Sequence, residues 1–187
     1  MRIISGFYKG KKILQPKDIK TRPLKDLTKE SIFNTIFHSN KFRINLNEAT
    51  ILDLFSGIGS FGLECLSRGV KKVIFVENYA GVLPILRKNL SQLKSLNNYE
   101  VIDKNIYGED TFSFFKNKFD LIFLDPPYKD NNINEILSNI KRQKLLLKNG
   151  IIILHRHKNE NGRFLEDIKI IEQKKYGISK IFYISLD

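Results

Sequence analysis

From residue 51 onward, the chain alternates short, nearly continuous apolar segments with longer segments whose apolar residues recur at helical spacing. Strands that are apolar at almost every position are buried on both faces, and helices that connect such strands leave them parallel. The pattern therefore predicts an α/β fold in which helices cover both faces of a mostly parallel sheet. The predicted strands are 51–55, 71–77, 99–103, 119–125 and 150–156, and the predicted helices are 60–68, 80–94, 109–116 and 132–147.

The two ends of the chain follow other patterns. Residues 168–186 hold two apolar segments joined directly at 175–177, which predicts an antiparallel strand pair at the edge of the sheet. Residues 2–14 predict a short hairpin. Residues 26–39 predict a helix with Asp26 as its N-cap. A chain of 187 residues is long enough for one well-buried core.

Positive charge is concentrated at the N-terminus. The chain carries a net charge of +12, and residues 1–45 hold +8 of it. A general enrichment in lysine would raise the charge everywhere, whereas a concentrated basic segment is typical of proteins that bind polyanions, because neutralising phosphates releases counterions. We therefore predict a nucleic-acid partner and divide the chain into a basic N-terminal extension, 1–45, and a main domain, 46–187.

Several classes of protein are disfavoured by the sequence. The single cysteine, Cys65, cannot form an internal disulfide and is expected to be a core residue, not a nucleophile. His38, His155 and His157 are too scattered to predict a metal site, and the last two are interpreted as ordinary surface or packing residues. No apolar stretch approaches the roughly 20 residues of a membrane span, and the N-terminus does not resemble a signal peptide, so we predict a cytoplasmic protein.

The first motif with chemical meaning is DLFSGIGSFG, residues 53–62. Gly57, Gly59 and Gly62 follow a predicted strand and open a predicted helix, and Glu77 ends the next strand. Glycines at this spacing let a ligand approach the backbone closely, and an acid that ends the second strand can accept both ribose hydroxyls. The arrangement predicts a site for a ligand that contains adenosine.

The charge of Asp53 narrows the choice of ligand. It lies four residues before Gly57, where a carboxylate would oppose the pyrophosphate of a dinucleotide but would suit the ammonium and sulfonium groups of S-adenosylmethionine. We therefore predict S-adenosylmethionine as the cofactor. Asn105, just after the third predicted strand, is predicted to contact the adenine, with Asp103 as the alternative.

The second motif, DPPY at 125–128, ends the fourth predicted strand. In an open parallel sheet, ligands bind beyond the carboxyl ends of the strands. Pro126 and Pro127 lack N–H groups, so the Asp125 carboxylate and the Pro126 carbonyl are two acceptors on a stiff backbone. Two acceptors match the two hydrogens of an exocyclic amine, which would free the nitrogen lone pair for attack on a methyl group. Tyr128 offers a flat face on which a base can stack.

These segments resemble a known class of enzymes. DLFSGIGSFGLECLSRG, IFVE (74–77) and FDLIFLDPPY resemble the Rossmann-like class I S-adenosylmethionine-dependent methyltransferases of amino groups. More narrowly, RIISGFYKGKKI and RPLKDLTKESIFNTI (22–36) resemble the bacterial 16S rRNA guanine-966 N2-methyltransferase family, nearly end to end. The resemblance implies a seven-stranded sheet with an antiparallel last strand. It also implies transfer of a methyl group to the N2 amine of a guanine in 16S ribosomal RNA.

Residue by residue, the resemblance implies three groups of contacts. The cofactor would be held by Asp53, Gly57, Gly59 and Glu77, and the target base by Asp125, Pro126 and Tyr128. RNA would be contacted by Arg22 and the neighbouring basic segment, to which the charge argument adds Lys11, Lys12, Lys25 and Lys29. The sequence departs from the family pattern at Leu24, at Asn105 and in LHRHK (154–158), where the strand end often carries glutamate.

The expected partner is 16S ribosomal RNA or the assembling small ribosomal subunit. The protein is expected to be a monomer, and neither a membrane nor a protein partner is predicted. Three alternatives stay open. A DNA adenine-N6 methyltransferase uses similar chemistry but usually has more chain for sequence recognition. A protein-glutamine N5 methyltransferase usually has Asn before Pro-Pro-Tyr and would not need a basic N-terminus. A non-catalytic RNA-binding module would explain the charge but not Asp53, Glu77 and Asp125 together.

Overall fold

The computed structural model describes residues 1–16, 24–94, 96–107, 112–128, 130–160 and 164–186. Its strands are β1 (Thr50–Leu54), β2 (Lys72–Glu77), β3 (Tyr99–Asp103), β4 (Phe119–Leu124), β5 (Leu146–His157), β6 (Lys169–Tyr176) and β7 (Ser179–Ser185). They form one sheet in the order β3-β2-β1-β4-β5-β7-β6. The first five strands in this order run parallel, and β7 is antiparallel to both of its neighbours. The predicted α/β fold with an antiparallel last strand is confirmed.

The register of the central strands brings their polar ends together. Leu54 in β1 lies opposite Val76 in β2 and Leu124 in β4. The residue after each of the last two is an acid, Glu77 and Asp125, so both carboxylates lie at the carboxyl edge of the sheet, beside the loop that leaves β1. We call this edge the catalytic edge.

Four α-helices occur in the described residues: α1 (Asp26–His38), α2 (Ser60–Ser67), α3 (Leu83–Ser91) and α4 (Ile133–Arg142). The prediction that Asp26 is an N-cap is wrong, because Lys25 holds that position and Asp26 is the first helical residue. The predicted helix at 80–94 is shorter than expected. So is the one at 132–147, because Lys144 adopts a positive φ of 50° and β5 begins at Leu146.

The helix predicted at 109–116 is wrong for residues 112–116, while 109–111 lie outside the described residues. Phe112 is buried and Phe115 packs edge-on against Phe119, with ring centroids 5.5 Å apart. An aromatic cluster around a turn covers this end of β4 where a helix was expected. Its apolar residues satisfy the same helical spacing, which is why the pattern alone misled.

Two apolar cores lie on opposite faces of the sheet. One contains the buried residues of α1, α2 and α3, and the other contains those of α4 with Phe112. The N-terminal segment packs into the first core through Ile3, Ile13 and Leu24. The predicted hairpin at 2–14 is reduced to a single antiparallel bridge between Arg2 and Lys12. The division of the chain at residue 45 stays a prediction.

A buried acid in α2 fixes the N-terminal segment. The Glu64 carboxylate accepts hydrogen bonds from the backbone amides of Ile4 and Ser5, at 2.8 and 3.0 Å. It also accepts a hydrogen bond from Nε of Arg68 at 2.9 Å.

None of the helices in the described part of the chain has the length and apolar character that crossing a bilayer would require.

Candidate active site

The glycine-rich loop between β1 and α2 forms one wall of the site. Gly57 and Gly59 have positive φ angles of 56° and 84°, a region that disfavours residues with a Cβ. Gly62 is required for a different reason, because a Cβ there would lie 2.2 Å from Cε1 of Phe75 in β2. A Cβ at Gly57 would meet no atom within 4 Å. The backbone at Gly57 is therefore open to the approach of a ligand.

Asp53 lies at the end of β1 and is almost completely buried. Its Oδ2 accepts a hydrogen bond from the Gly62 amide at 3.0 Å. Burial raises the pKa of Asp53 well above its ordinary value; the Gly62 amide opposes this shift, and the neighbouring carboxylates of Asp125 and Glu77 add to it. A buried carboxylate beside two other acids is suited to a ligand that brings positive charge.

Glu77 closes the same loop from the end of β2. One carboxylate oxygen accepts a hydrogen bond from the Gly57 amide at 2.8 Å. The other accepts from the backbone amides of Asn78 and Tyr79, at 3.0 and 2.8 Å. Glu77 therefore links the glycine loop to the loop after β2, which is where an acid that meets ribose hydroxyls would lie.

The DPPY loop continues β4 on the other side of β1. The Asp125 amide donates to the carbonyl of Leu54 at 3.4 Å, which extends the pairing of β4 with β1 by one residue. Asp125 and Tyr128 are half-buried, and Pro126 is buried. The three acids predicted from the sequence, Asp53, Glu77 and Asp125, therefore lie along the catalytic edge, at the ends of three adjacent strands, and the proline pair follows directly after β4.

Two residues of β5 that the sequence reading had not assigned to the site contact the DPPY loop. The first is His155, whose Nδ1 lies 2.7 Å from Oδ1 of Asp125 and whose Nε2 lies 2.8 Å from Oγ of Ser179. The Tyr128 ring meets the rings of His155 and His157 edge-on, with centroids 5.9 and 5.3 Å apart. His155 was interpreted as an ordinary surface or packing residue; it is buried, and its contact with Asp125 was not predicted.

The second is Arg156, which is buried and bonded to the backbone of the same loop. Its guanidinium donates to the carbonyls of Pro127, Tyr128 and Asp130, at 3.1, 3.2 and 2.8 Å. Its Nε pairs with Glu160. Three donors from one planar group fix the path of the loop after the prolines. The sequence signal was a run of charged residues, HRHK, directly after an apolar strand.

The predicted adenine contacts lie on the far side of the site. Asn105 and Asp103 are both exposed after β3, and Oδ1 of Asn105 accepts from the Tyr107 amide at 3.0 Å. The Tyr107 hydroxyl donates to Asp130, and so this loop meets the DPPY loop. A cavity of about 440 Å³ lies at the junction. It is lined by Tyr107, Pro127, Asp130, Asn131 and Asn132.

The basic residues predicted to bind RNA have different surroundings. Lys12 and Lys25 are exposed, and Lys11 is half-buried with its Nζ bonded to the carbonyl of Gln92. Lys29 is completely buried, so the structure does not support its predicted contact with RNA. Arg22 lies outside the described residues.

Only part of this basic segment reaches the catalytic edge. The Phe7 amide donates to the carbonyl of Ser67 at the end of α2, and so the first turn of the chain lies near the amino ends of the strands. The carbonyl of Leu24 accepts from Ser60 at the start of α2, at 3.5 Å. Lys25 therefore lies beside the catalytic edge.

Across the described ranges, no group of His, Cys, Asp and Glu has the arrangement of a metal site.

Comparisons with known proteins agree with this architecture. The family described as conserved hypothetical protein 95 matches residues 1–185. A relative from Haemophilus influenzae, named ribosomal RNA small subunit methyltransferase D, is 32% identical over 95% of this chain and 90% of its own length.

Solved structures lead to the same fold. A candidate methyltransferase from Escherichia coli superposes with a TM-score of 0.78 at 26% identity, covering 98% of this chain and 96% of the other. A second candidate methyltransferase, solved in complex with SAH, superposes with a TM-score of 0.62 at 15% identity, covering 84% of this chain and 49% of the other.

Proposed function

The chain belongs to the family described as conserved hypothetical protein 95, and from this membership and the geometry of the catalytic edge we propose that it methylates ribosomal RNA with S-adenosylmethionine as the methyl donor. We propose further that the methylated atom is the N2 amine of a guanine in 16S ribosomal RNA. The observation that carries this proposal is the alignment of three acids on adjacent strands: Glu77, Asp53 and Asp125.

The residues of the glycine-rich loop fit the cofactor. Asp53 is a buried acid whose raised pKa reports that its charge lacks a counterion, and a ligand with an ammonium and a sulfonium group would supply one. The open backbone at Gly57 leaves room for close approach. Glu77 would accept the ribose hydroxyls in exchange for one of its present amide donors. When bound, S-adenosylmethionine would supply an electrophilic methyl group.

The residues of the DPPY loop fit the target amine. Asp125 offers a carboxylate at the carboxyl end of β4, and the two prolines add no N–H donor that would compete for it. The carboxylate and the Pro126 carbonyl would each accept one amine hydrogen. The nitrogen lone pair would then be directed away from the ring and towards the methyl group.

Proton transfer needs little help from the protein. A nucleobase amine is neutral, so it requires no base before attack, and the proton released afterwards can leave through Asp125 or water. Tyr128 would stack on the base, which holds the ring while the amine reacts. The reaction is a single displacement without a covalent enzyme intermediate, in keeping with the burial of Cys65.

The acid at position 125 and the basic N-terminus favour RNA over the alternatives. The relative from Haemophilus influenzae is named for ribosomal RNA of the small subunit, and the charge of residues 1–45 suits a phosphate backbone. A protein substrate would not require that charge.

The test offers labelled S-adenosylmethionine to the purified protein together with small ribosomal subunits, naked 16S rRNA, duplex DNA or a release factor. We expect label in ribosomal RNA, and nucleoside mass spectrometry should identify N2-methylguanosine. The variant Asp125→Ala should lose methylation while titration calorimetry still detects cofactor binding. Label in DNA or in the release factor, or methylation at another atom of the RNA, would refute the guanine-N2 assignment.

A further inference from the structure

We propose that His155 is a positioning residue that holds both Asp125 and Tyr128, and that Ser179 fixes the tautomer in which it does so. The inference deepens the proposed function and rests on it only for the identity of the reaction. The histidine lies on β5 and the serine lies on β7, and these two strands pair antiparallel at the catalytic edge.

The histidine lies between two groups that it contacts at hydrogen-bond distance. Nδ1 is 2.7 Å from Oδ1 of Asp125, and Nε2 is 2.8 Å from Oγ of Ser179. Both His155 and Ser179 are buried, with 4% of each residue exposed. Both ring nitrogens are therefore engaged with protein groups, and water has little access to compete for them.

The direction of the hydrogen bonds from Ser179 through His155 to Asp125 follows from which groups can donate and which can only accept. An ionised carboxylate only accepts hydrogen bonds, so Nδ1 must carry a hydrogen to bond with Asp125. In a neutral imidazole the other nitrogen is then an acceptor, and the Ser179 hydroxyl must donate to it. The serine thus selects the tautomer that donates to Asp125. Without that hydroxyl, Nε2 would be left buried without a partner.

The consequence for the amine site is that one carboxylate oxygen is occupied and the other is not. Within the described ranges, Oδ2 of Asp125 has no hydrogen-bond partner, whereas Oδ1 is tied to His155. Rotation of the carboxylate would break this part-buried hydrogen bond. The oxygen that meets the amine is therefore held in one place before the substrate arrives.

The same ring also restrains the base-stacking residue. Tyr128 meets His155 edge-on at 75° and His157 edge-on at 64°. Edge-to-face packing of aromatic rings is favourable and depends on orientation. His155 thus contacts both Asp125, which would hold the amine, and Tyr128, which would stack on the base. Both residues are therefore anchored to β5.

The experiment combines imidazole NMR with kinetics. In the wild-type protein, ¹⁵N-edited spectra of the histidine rings should report hydrogen on Nδ1 of His155, and Ser179→Ala should shift this tautomer equilibrium. In the methylation assay, His155→Leu should lower kcat on the order of 100-fold, the scale of a misplaced catalytic group. KM for S-adenosylmethionine should stay unchanged. His155→Asn, whose amide nitrogen takes the place of Nδ1, should recover much of the loss.

His157→Leu is the comparison variant, because it removes the other ring that packs on Tyr128 and leaves the contact between His155 and Asp125 in place. It should lower kcat less than His155→Leu does and should leave the tautomer of His155 unchanged. Hydrogen on Nε2 of His155 in the wild-type protein, or equal kcat for His155→Leu and His155→Asn, would overturn the inference. If the wild-type protein transfers no methyl group to RNA, the proposed function fails, and the tautomer of His155 and its response to Ser179→Ala still decide this inference.

Discussion

The Asp53 carboxylate accepts a hydrogen bond of 3.0 Å from the Gly62 amide, which joins the end of β1 to the first turn of α2. This neutral donor does not balance the negative charge, and burial raises the pKa of Asp53 well above its ordinary value. A residue chosen for stability alone would carry no charge here. The acid is therefore expected to serve the ligand at a cost in folding free energy.

The first prediction replaces that acid with its neutral isostere. Asp53→Asn keeps an oxygen for the Gly62 amide and removes the charge, so we expect cofactor affinity to fall by about tenfold or more, the worth of a hydrogen bond to a charged group. Titration calorimetry with S-adenosylmethionine measures this change. Affinity equal to that of the wild-type protein would contradict the assigned contact.

The second prediction concerns pH. Because the pKa of Asp53 is raised in the folded state, the folded protein binds more protons than the unfolded chain, and this contribution to stability is present at acidic pH and lost as the pH rises through the raised pKa. Asp53→Asn lacks this dependence. In thermal melts, the Tm of the variant should therefore rise relative to the Tm of the wild-type protein as the pH rises. A constant difference in Tm from acidic to alkaline pH would argue against a raised pKa.

A third prediction tests the close contact at Gly62. A Cβ would lie 2.2 Å from the Phe75 ring, so Gly62→Ala should destabilise the protein by about 1–3 kcal/mol through overpacking. Phe75→Leu should relieve the clash, and the double variant should be more stable than the sum of the single changes predicts. Urea denaturation of the four proteins measures the coupling. Additive losses would mean that the ring is not the obstacle.

The sequence predicted the parallel core and the two motifs because both are local in the chain. A buried strand, a glycine turn and a second strand ending in Glu77 all occur within 53–77, and the DPPY loop follows one apolar run. The prolines determine its backbone chemistry without any long-range contact. The acids therefore met at one edge as expected once the strand order brought β1 between β2 and β4.

The surroundings of His155 and Lys29 could not be predicted in this way, because both depend on pairing between distant segments. Ser179 reaches His155 only through the antiparallel pairing of β7 with β5. Lys29 was expected to face RNA, since lysines are mostly exposed. It is buried because Glu64 of α2 and the carbonyl of Arg2 both lie within reach of its Nζ, at 3.6 and 2.9 Å.

A fourth prediction follows from this burial. Burial lowers the pKa of Lys29, and Glu64 and Asp26 oppose the shift, so removing the charge leaves Glu64 short of one counterion. Lys29→Met should destabilise the protein by about 3 kcal/mol, the low end for breaking a buried pair, because Arg68 still contacts Glu64. Lys29→Met/Glu64→Gln should recover part of the loss. Urea denaturation decides, and unchanged stability in Lys29→Met would refute the buried pair.

The fifth prediction separates RNA contact from general positive charge. Lys25 is exposed beside the catalytic edge, whereas Lys148 is exposed at the start of β5, near the opposite edge. Each phosphate contact contributes about one to the slope of log affinity against log salt concentration. Lys25→Gln should therefore lower that slope by about one for 16S rRNA, and Lys148→Gln should leave it unchanged. Filter binding at several salt concentrations measures both slopes, and equal changes in the two variants would mean that the RNA does not select the catalytic edge.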